Sequence, residues 1–351
     1  MTTHAHTTPD AIAADLLRLD PGYAATPLVA LPGLATRLGV ARVLAKDEGR
    51  RLLGSFKSLG GTYAGLRALA RSAGRDVAGL VAARPAGQPA LVCASDGNHG
   101  LAVALAARLA GAPARVFLHA GVPASRARRI GDQGAEIVRI EGTYDDAVDA
   151  AAEAARAGSG LLVADTTDDP DDPVVHDVMA GYGVMASEIR AQVARAGDER
   201  PTHLFVQAGV GGLAAAIAEG LAGFLAAPAR IVAVEPASAA CLEAAMAADR
   251  PVRVPGDLHT AAEMLSCGEA SAPAIAVLKR YGAQVVTVAE PGLAEAPDIL
   301  AAHGGPATTP SGAAGLAGAI AALGNPGRAE ELGLDAGSRL LILVTEGPLA
   351  E

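Results

Sequence analysis

Short apolar runs alternate with longer alanine-rich runs from about residue 88 to the end of the chain, and this alternation constrains the fold more than any other feature. The apolar runs 90–94, 114–119, 135–140, 161–164, 203–207, 230–235, 284–288 and 339–344 have the length of strands. Between them lie helix-like stretches such as 99–110, 144–157, 180–196, 213–225 and 312–323. Strand, helix, strand at this spacing builds βαβ units around a mostly parallel sheet, so the chain reads as α/β. Ligands of such sheets sit beyond the carboxyl ends of the strands, which puts the weight on residues directly after each strand. Gly111 and Gly158 fall where helices should end. The tract 165–173 holds five Asp and two Pro and reads as a solvated loop.

With 351 residues the chain can form one large or two smaller domains. Its net charge of −10, with no basic and aromatic patch, argues against nucleic acid as a partner. Three cysteines do not make a disulfide framework, and Cys241 and Cys267 read as reduced thiols. No Cys/His spacing fits a zinc site, so no metal is expected. The first residues lack the basic and apolar pattern of a signal peptide, and runs such as 101–110 are too short to span a bilayer. A soluble cytoplasmic protein is the expectation. Of the 28 basic residues only three are lysine: Lys46, Lys57 and Lys279. Any Schiff-base chemistry therefore has three candidates, because arginine stays protonated.

Four motifs carry chemistry. In Gly54-Ser55-Phe56-Lys57-Ser58-Leu59-Gly60-Gly61 a lysine opens an amphipathic helix, a place where the helix dipole disfavours a cation. A partly desolvated amine there is suited to a Schiff base; the alternative is a solvated surface lysine. Ala94-Ser95-Asp96-Gly97-Asn98-His99-Gly100 follows a strand and opens a helix, bringing small and polar residues to a ligand-facing turn. Such residues also make ordinary turns. Gln207-Ala208-Gly209-Val210-Gly211-Gly212-Leu213-Ala214 is a glycine loop entering a helix, a phosphate cradle. It also fits a dinucleotide fingerprint, with Glu235 closing the next strand. Thr345, in Val344-Thr345-Glu346-Gly347 after the last strand, offers a hydroxyl to a cofactor ring or is simply a residue leaving a strand.

Together and in this order the motifs resemble the fold-type II pyridoxal-phosphate enzymes, the tryptophan-synthase-β and serine/threonine-dehydratase superfamily. The resemblance runs from Thr26-Pro27-Leu28 to Glu346. Within it the chain is most similar to the diaminopropionate ammonia-lyases. That narrower likeness rests on Ser55-Phe56-Lys57, Leu59-Gly60-Gly61, Tyr63-Ala64, Asp96 and Ala164-Asp165-Thr166, where general dehydratases carry a small or hydroxyl residue in place of Asp96. Gly181-Tyr182, Val234-Glu235-Pro236, Ser266-Cys267-Gly268-Glu269 and Thr345-Glu346-Gly347 add to it.

The resemblance implies two open, twisted, mostly parallel α/β domains, a large cofactor-binding one at 1–74 and 183–351 and a smaller one intercalated at 75–182. It implies pyridoxal 5′-phosphate held by Lys57 as an internal aldimine. Asn98 would then bond the ring 3′-oxygen, Gly209, Val210, Gly211, Gly212 and Leu213 the phosphate, and Thr345 the pyridine nitrogen. A neutral hydroxyl at that nitrogen suits β-elimination over transamination. Lys57, Asp96 or Asp165 would take the Cα proton, and the residues alone leave that choice open. The implied reaction releases ammonia from 2,3-diaminopropionate or a similar β-substituted amino acid, through an aminoacrylate, to pyruvate and ammonia. The implied partners are a small amino-acid substrate and a second copy of the chain in a homodimer, with no nucleic acid and no membrane.

The chain departs from the lyase pattern twice. Thr167-Asp168-Asp169-Pro170-Asp171-Asp172-Pro173 replaces an aromatic and acidic run, and Pro310 stands where an acidic residue often precedes Ser311-Gly312-Ala313. A different β-substituted substrate, a serine/threonine-dehydratase-type activity and a non-catalytic cofactor binder therefore stay open. An NAD-dependent dehydrogenase built on the Gly209 loop explains Glu235 but leaves the Lys57 and Asn98 motifs without a role.

Overall fold

A computed structural model describes residues 8–95 and 97–348. Its ten strands are β1 (Leu28–Ala30), β2 (Arg42–Asp47), β3 (Leu91–Ala94), β4 (Ala114–His119), β5 (Glu136–Ile140), β6 (Leu161–Leu162), β7 (His203–Gln207), β8 (Arg230–Pro236), β9 (Gln284–Val288) and β10 (Arg339–Val344). The chain divides into two compact units. Unit 1 takes in Met1–Ala24, Lys57–Asp165 and Asp172–Ser187; unit 2 takes in Ala25–Phe56, Thr166–Asp171 and Glu188–Glu351. Among the described residues no helix is long and apolar enough to cross a membrane.

Unit 1 is built on a four-stranded parallel sheet in the order β5-β4-β3-β6. Val92, Ala94 and Phe117 pack against Ala147 and Ala151 of the helix Tyr144–Arg156. That helix begins with a capping box: the Thr143 hydroxyl accepts from the Asp146 N–H, and the Asp146 carboxylate accepts from the Thr143 N–H. The other face is covered by the helices Lys57–Ser72 and Asn98–Ala110, which approach through small residues. A Cβ on Gly61 would come within 2.7 Å of Ala102 Cβ, and one on Gly65 within 2.8 Å of Ala106 Cβ. This contact ties the helix Lys57–Ser72 to unit 1. The helix opened by Lys57 is glycine-flat toward a helix of unit 1. The helix Pro173–Ala196 belongs to unit 1 through Ser187 and to unit 2 from Glu188 on.

Unit 2 is built on a six-stranded sheet in the order β1-β2-β10-β7-β8-β9, parallel except for β1 against β2. Phe205, Val232, Val234 and Ile342 from its strands pack with Ala313, Ala314 and Leu316 of the helix Pro310–Leu323 in one apolar core. β2 contains a fully buried lysine. The Lys46 ammonium donates to Glu188 Oε2 at 2.6 Å, Thr26 O at 2.8 Å and Gln192 Oε1 at 3.1 Å. Arg51 bonds Glu48 Oε2 at 2.8 Å and Glu188 Oε2 at 2.7 Å, so two cations and two carboxylates share one buried cluster. Burial opposes ionisation of Glu48, but the adjacent Arg51 outweighs it and holds the carboxyl below its ordinary range.

Candidate active site

Each sheet has one place where its strand order reverses, and each reversal collects one set of the expected residues. In unit 1 it lies between β3 and β6, because β4 and β5 continue to one side of β3 and β6 lies on the other. Loops leaving adjacent strands there diverge and open a crevice. After β3, the Ser95 hydroxyl accepts from Gly97 N at 2.9 Å and Gly100 N at 2.8 Å. Gly97 takes φ +150°, which leads the chain into the helix Asn98–Ala110 with Asn98 as its first, half-buried residue. Asp96 lies outside the described residues.

After β6, the chain delivers Asp165, 7% exposed, to the same end of the sheet. The Lys57 ammonium donates to Asp165 Oδ2, and the Tyr144 hydroxyl donates to Oδ1 at 3.1 Å. Burial would keep this carboxyl neutral. The Lys57 charge beside it and the two donated hydrogen bonds outweigh burial and hold it well below the usual carboxylate range. Asp165 is therefore an ionised, buried counter-charge for an amine. His99 bonds the Val163 carbonyl through Nε2 at 2.8 Å, so that nitrogen carries the proton; burial lowers its pKa and keeps the ring neutral. Lys57 starts its helix next to a second close approach. A Cβ on Gly60 would lie 2.4 Å from the Tyr182 ring, and one on Gly181 would lie 2.7 Å from Gly60 Cα. Leu59-Gly60-Gly61 and Gly181-Tyr182 are thus two halves of one helix contact. Burial also pushes the Tyr182 hydroxyl pKa up, against the opposing effect of Lys57.

In unit 2 the strand order reverses between β7 and β10. Gly209, Val210 and Gly211 leave β7 and enter the helix Gly212–Leu221, with Gly211 at φ +93°. Among the described residues, no acceptor takes the N–H groups of Val210, Gly211, Gly212 or Leu213. A Cβ on Gly209 would meet Cys267 Sγ at 2.9 Å and one on Gly211 would meet Ala274 Cβ at 3.1 Å, so the loop is packed from behind. Open N–H groups at the start of a helix, backed by packed residues, suit a phosphate dianion. Cys241 and Cys267 border this loop as buried thiols and form no disulfide.

Thr345 follows β10, 4% exposed. Its carbonyl accepts from Phe56 N at 3.1 Å, and its hydroxyl oxygen accepts from Gln207 Nε2 at 2.9 Å. Gln207 was not singled out by sequence, although it is the strand-end residue that opens the glycine loop. Tyr144 was missed as well, and nothing local marks it: its partner is 21 positions away. Glu235, which a dinucleotide reading needs at a ribose, is occupied otherwise. Its buried carboxyl group accepts from Leu242 N at 2.7 Å and Glu243 N at 2.9 Å, at the start of the helix Cys241–Ala248. Among the described residues no group of three or more His, Cys, Asp or Glu could hold a metal ion.

Comparison with known proteins agrees with this chemistry. The sequence profile of the family described as pyridoxal-phosphate dependent enzyme matches residues 19–346. The chain is 33% identical to diaminopropionate ammonia-lyase of Salmonella typhimurium over 351 aligned positions, covering 93% of this chain and 86% of that one. The crystal structure of the holo form of the Escherichia coli diaminopropionate ammonia-lyase superposes with a TM-score of 0.87 at 28% identity, over 98% of this chain and 90% of that one. The same Escherichia coli enzyme in complex with an aminoacrylate–PLP azomethine reaction intermediate superposes at 0.85, also at 28% identity, with the same coverage.

Proposed function

Because the chain belongs to the pyridoxal-phosphate dependent enzyme family, we propose that it is an ammonia-lyase acting on 2,3-diaminopropionate or a similar β-substituted amino acid. With diaminopropionate and one water, the products are pyruvate and two molecules of ammonia. The residues present fit the cofactor: an amine beside a buried carboxylate, a run of open backbone N–H groups for a phosphate, and a neutral hydroxyl at a strand end. When bound, pyridoxal phosphate supplies a carbonyl carbon for Schiff-base linkage and an electron sink for the carbanion at Cα.

In this reading Lys57 holds the carbonyl carbon, and Asn98 donates to the 3′-oxygen of the ring. The N–H groups of Gly209, Val210, Gly211, Gly212 and Leu213 bind the phosphate, and Thr345 meets the pyridine nitrogen. Asp165 orients the Lys57 amine; its lowered pKa makes it a better counter-ion than base, which leaves the Cα proton to Lys57 or Asp96.

The Lys57–Asp165 pair carries the proposal. A substrate with a second ammonium needs a buried anion near the reacting carbons, and Asp165 is ionised and within reach of the lysine amine. A hydroxyl substrate such as serine has no such need. We expect ammonia and pyruvate in a 2:1 ratio from diaminopropionate. Asp165→Asn should raise KM for diaminopropionate by roughly tenfold or more, the loss of a charge-assisted hydrogen bond, and raise KM for serine less. No ammonia from diaminopropionate, or an equal KM change for both substrates, would overturn the reading. The resemblance to the ammonia-lyases further supports a cytoplasmic homodimer working in amino-acid breakdown; light scattering at twice the 34.8 kDa chain mass checks the dimer.

A further inference from the structure

We propose that Gln207 is a positioning residue that presents the Thr345 hydroxyl as a hydrogen-bond donor, so that the ring nitrogen of the bound cofactor stays unprotonated. The proposal rests on the reading that Thr345 meets that nitrogen. Gln207 closes β7 and Thr345 follows β10, the two neighbouring strands at which the sheet of unit 2 reverses its order.

The orientation of the Gln207 amide follows from its neighbours. Nε2 lies 3.1 Å from Ser311 O, 3.0 Å from Gly312 O and 3.3 Å from Leu343 O. Carbonyl oxygens accept and never donate, so an amide turned the other way would set Oε1 against three acceptors. Its NH2 group must therefore face them. The same NH2 group lies 2.9 Å from Thr345 Oγ1. An amide nitrogen is no acceptor, so Oγ1 accepts there and the hydroxyl proton must point elsewhere. Among the described residues it has no protein acceptor. Thr345 is thus left with one proton to donate and a lone pair already engaged. Such a group bonds a bare pyridine nitrogen well. A protonated one would face the positive end of the Gln207 amide dipole.

This orientation leaves the other end of the amide without a partner. Oε1 is buried without a hydrogen-bond partner among the described residues, facing the helix Pro310–Leu323 where a Cβ on Gly315 would stand 3.1 Å away. A buried amide oxygen left unpaired in a packed core calls for an explanation. Here it accompanies an NH2 group whose two protons are shared among three carbonyls and one hydroxyl.

The test uses the holoenzyme loaded with pyridoxal phosphate labelled with 15N in the ring. The 15N resonance should report an unprotonated, hydrogen-bonded nitrogen from pH 6 to 9. A protonated nitrogen in the unaltered enzyme overturns the proposal without any variant. Thr345→Val should move the resonance to the position of a nitrogen without a donor, and Thr345→Ser should restore it. Gln207→Met keeps the side-chain length and removes the donor. It should move the resonance part of the way and weaken cofactor binding to the apoenzyme by roughly fivefold, the worth of one hydrogen bond. The double variant should match Thr345→Val, since Gln207 acts through the hydroxyl. If Thr345→Val leaves the resonance in place, the placement of Thr345 is wrong. If Thr345→Val moves it and Gln207→Met does not, or the two shifts add, the role of Gln207 is wrong.

Discussion

The three lysines have three different fates. Lys279 pairs with Asp249 at the surface, where an ion pair contributes little. Lys46 is fully buried in the Glu188, Glu48 and Arg51 cluster, and burial, only partly offset by Glu188, lowers its pKa. Lys57 alone pairs with a carboxylate at a sheet's ligand-binding end. The expected result is that Lys57→Ala abolishes covalent cofactor attachment, read as loss of the visible absorption band and of borohydride-fixed cofactor. Lys279→Ala should leave both attachment and stability unchanged. Lys46→Ala should leave the attachment chemistry intact but lower stability by about 2–3 kcal/mol in urea titration, because it empties a buried side-chain volume and takes one of the two cations from Glu188, which keeps Arg51.

Two elements are held by local chemistry that can be tested in the same way. The helix Lys57–Ser72 meets the helix Pro173–Ala196 at Gly60 and Gly181. Gly60→Ala would drive a methyl into the Tyr182 ring and the Val178 carbonyl, and should destabilise by about 2–3 kcal/mol, as overpacking of a rigid contact does. The denaturation midpoint checks it. The helix Cys241–Ala248 is capped by Glu235, whose pKa is pushed up to about 8 by burial, against the two N–H bonds it accepts. The folded state then binds this proton more tightly than the unfolded chain, whose value is near 4.5. The contribution to stability is full below pH 4.5 and is lost as pH rises through 8. Glu235→Gln should flatten that part of the stability profile, and thermal melts from pH 5 to 9 would show it.

At the scale of the whole molecule, the alternation of apolar and alanine-rich runs was enough to locate β3 to β10 to within a few residues, because each strand and its covering helix is a local pattern. β1 and β2 did not show. β1 has three residues, and β2 carries Lys46 and Asp47, which break an apolar run. The Lys46 charge lies inside because Glu188, 142 positions away, comes to meet it, while Asp47 accepts from the Gly49 N–H. The chemistry-bearing motifs were legible for the same reason as the strands: a glycine loop or a polar turn is built from neighbours in sequence. The sequence by itself thus determined the α/β class, the family, and the candidate lysine and phosphate loop. Only the tertiary structure decided that Asp165 is the partner of Lys57, that Glu235 caps a helix, and that Gln207 orients Thr345. Each of those roles is an interaction between a side chain and groups elsewhere in the chain. Its strength depends on burial and on distances of about 3 Å, which folding sets and spacing along the chain does not record.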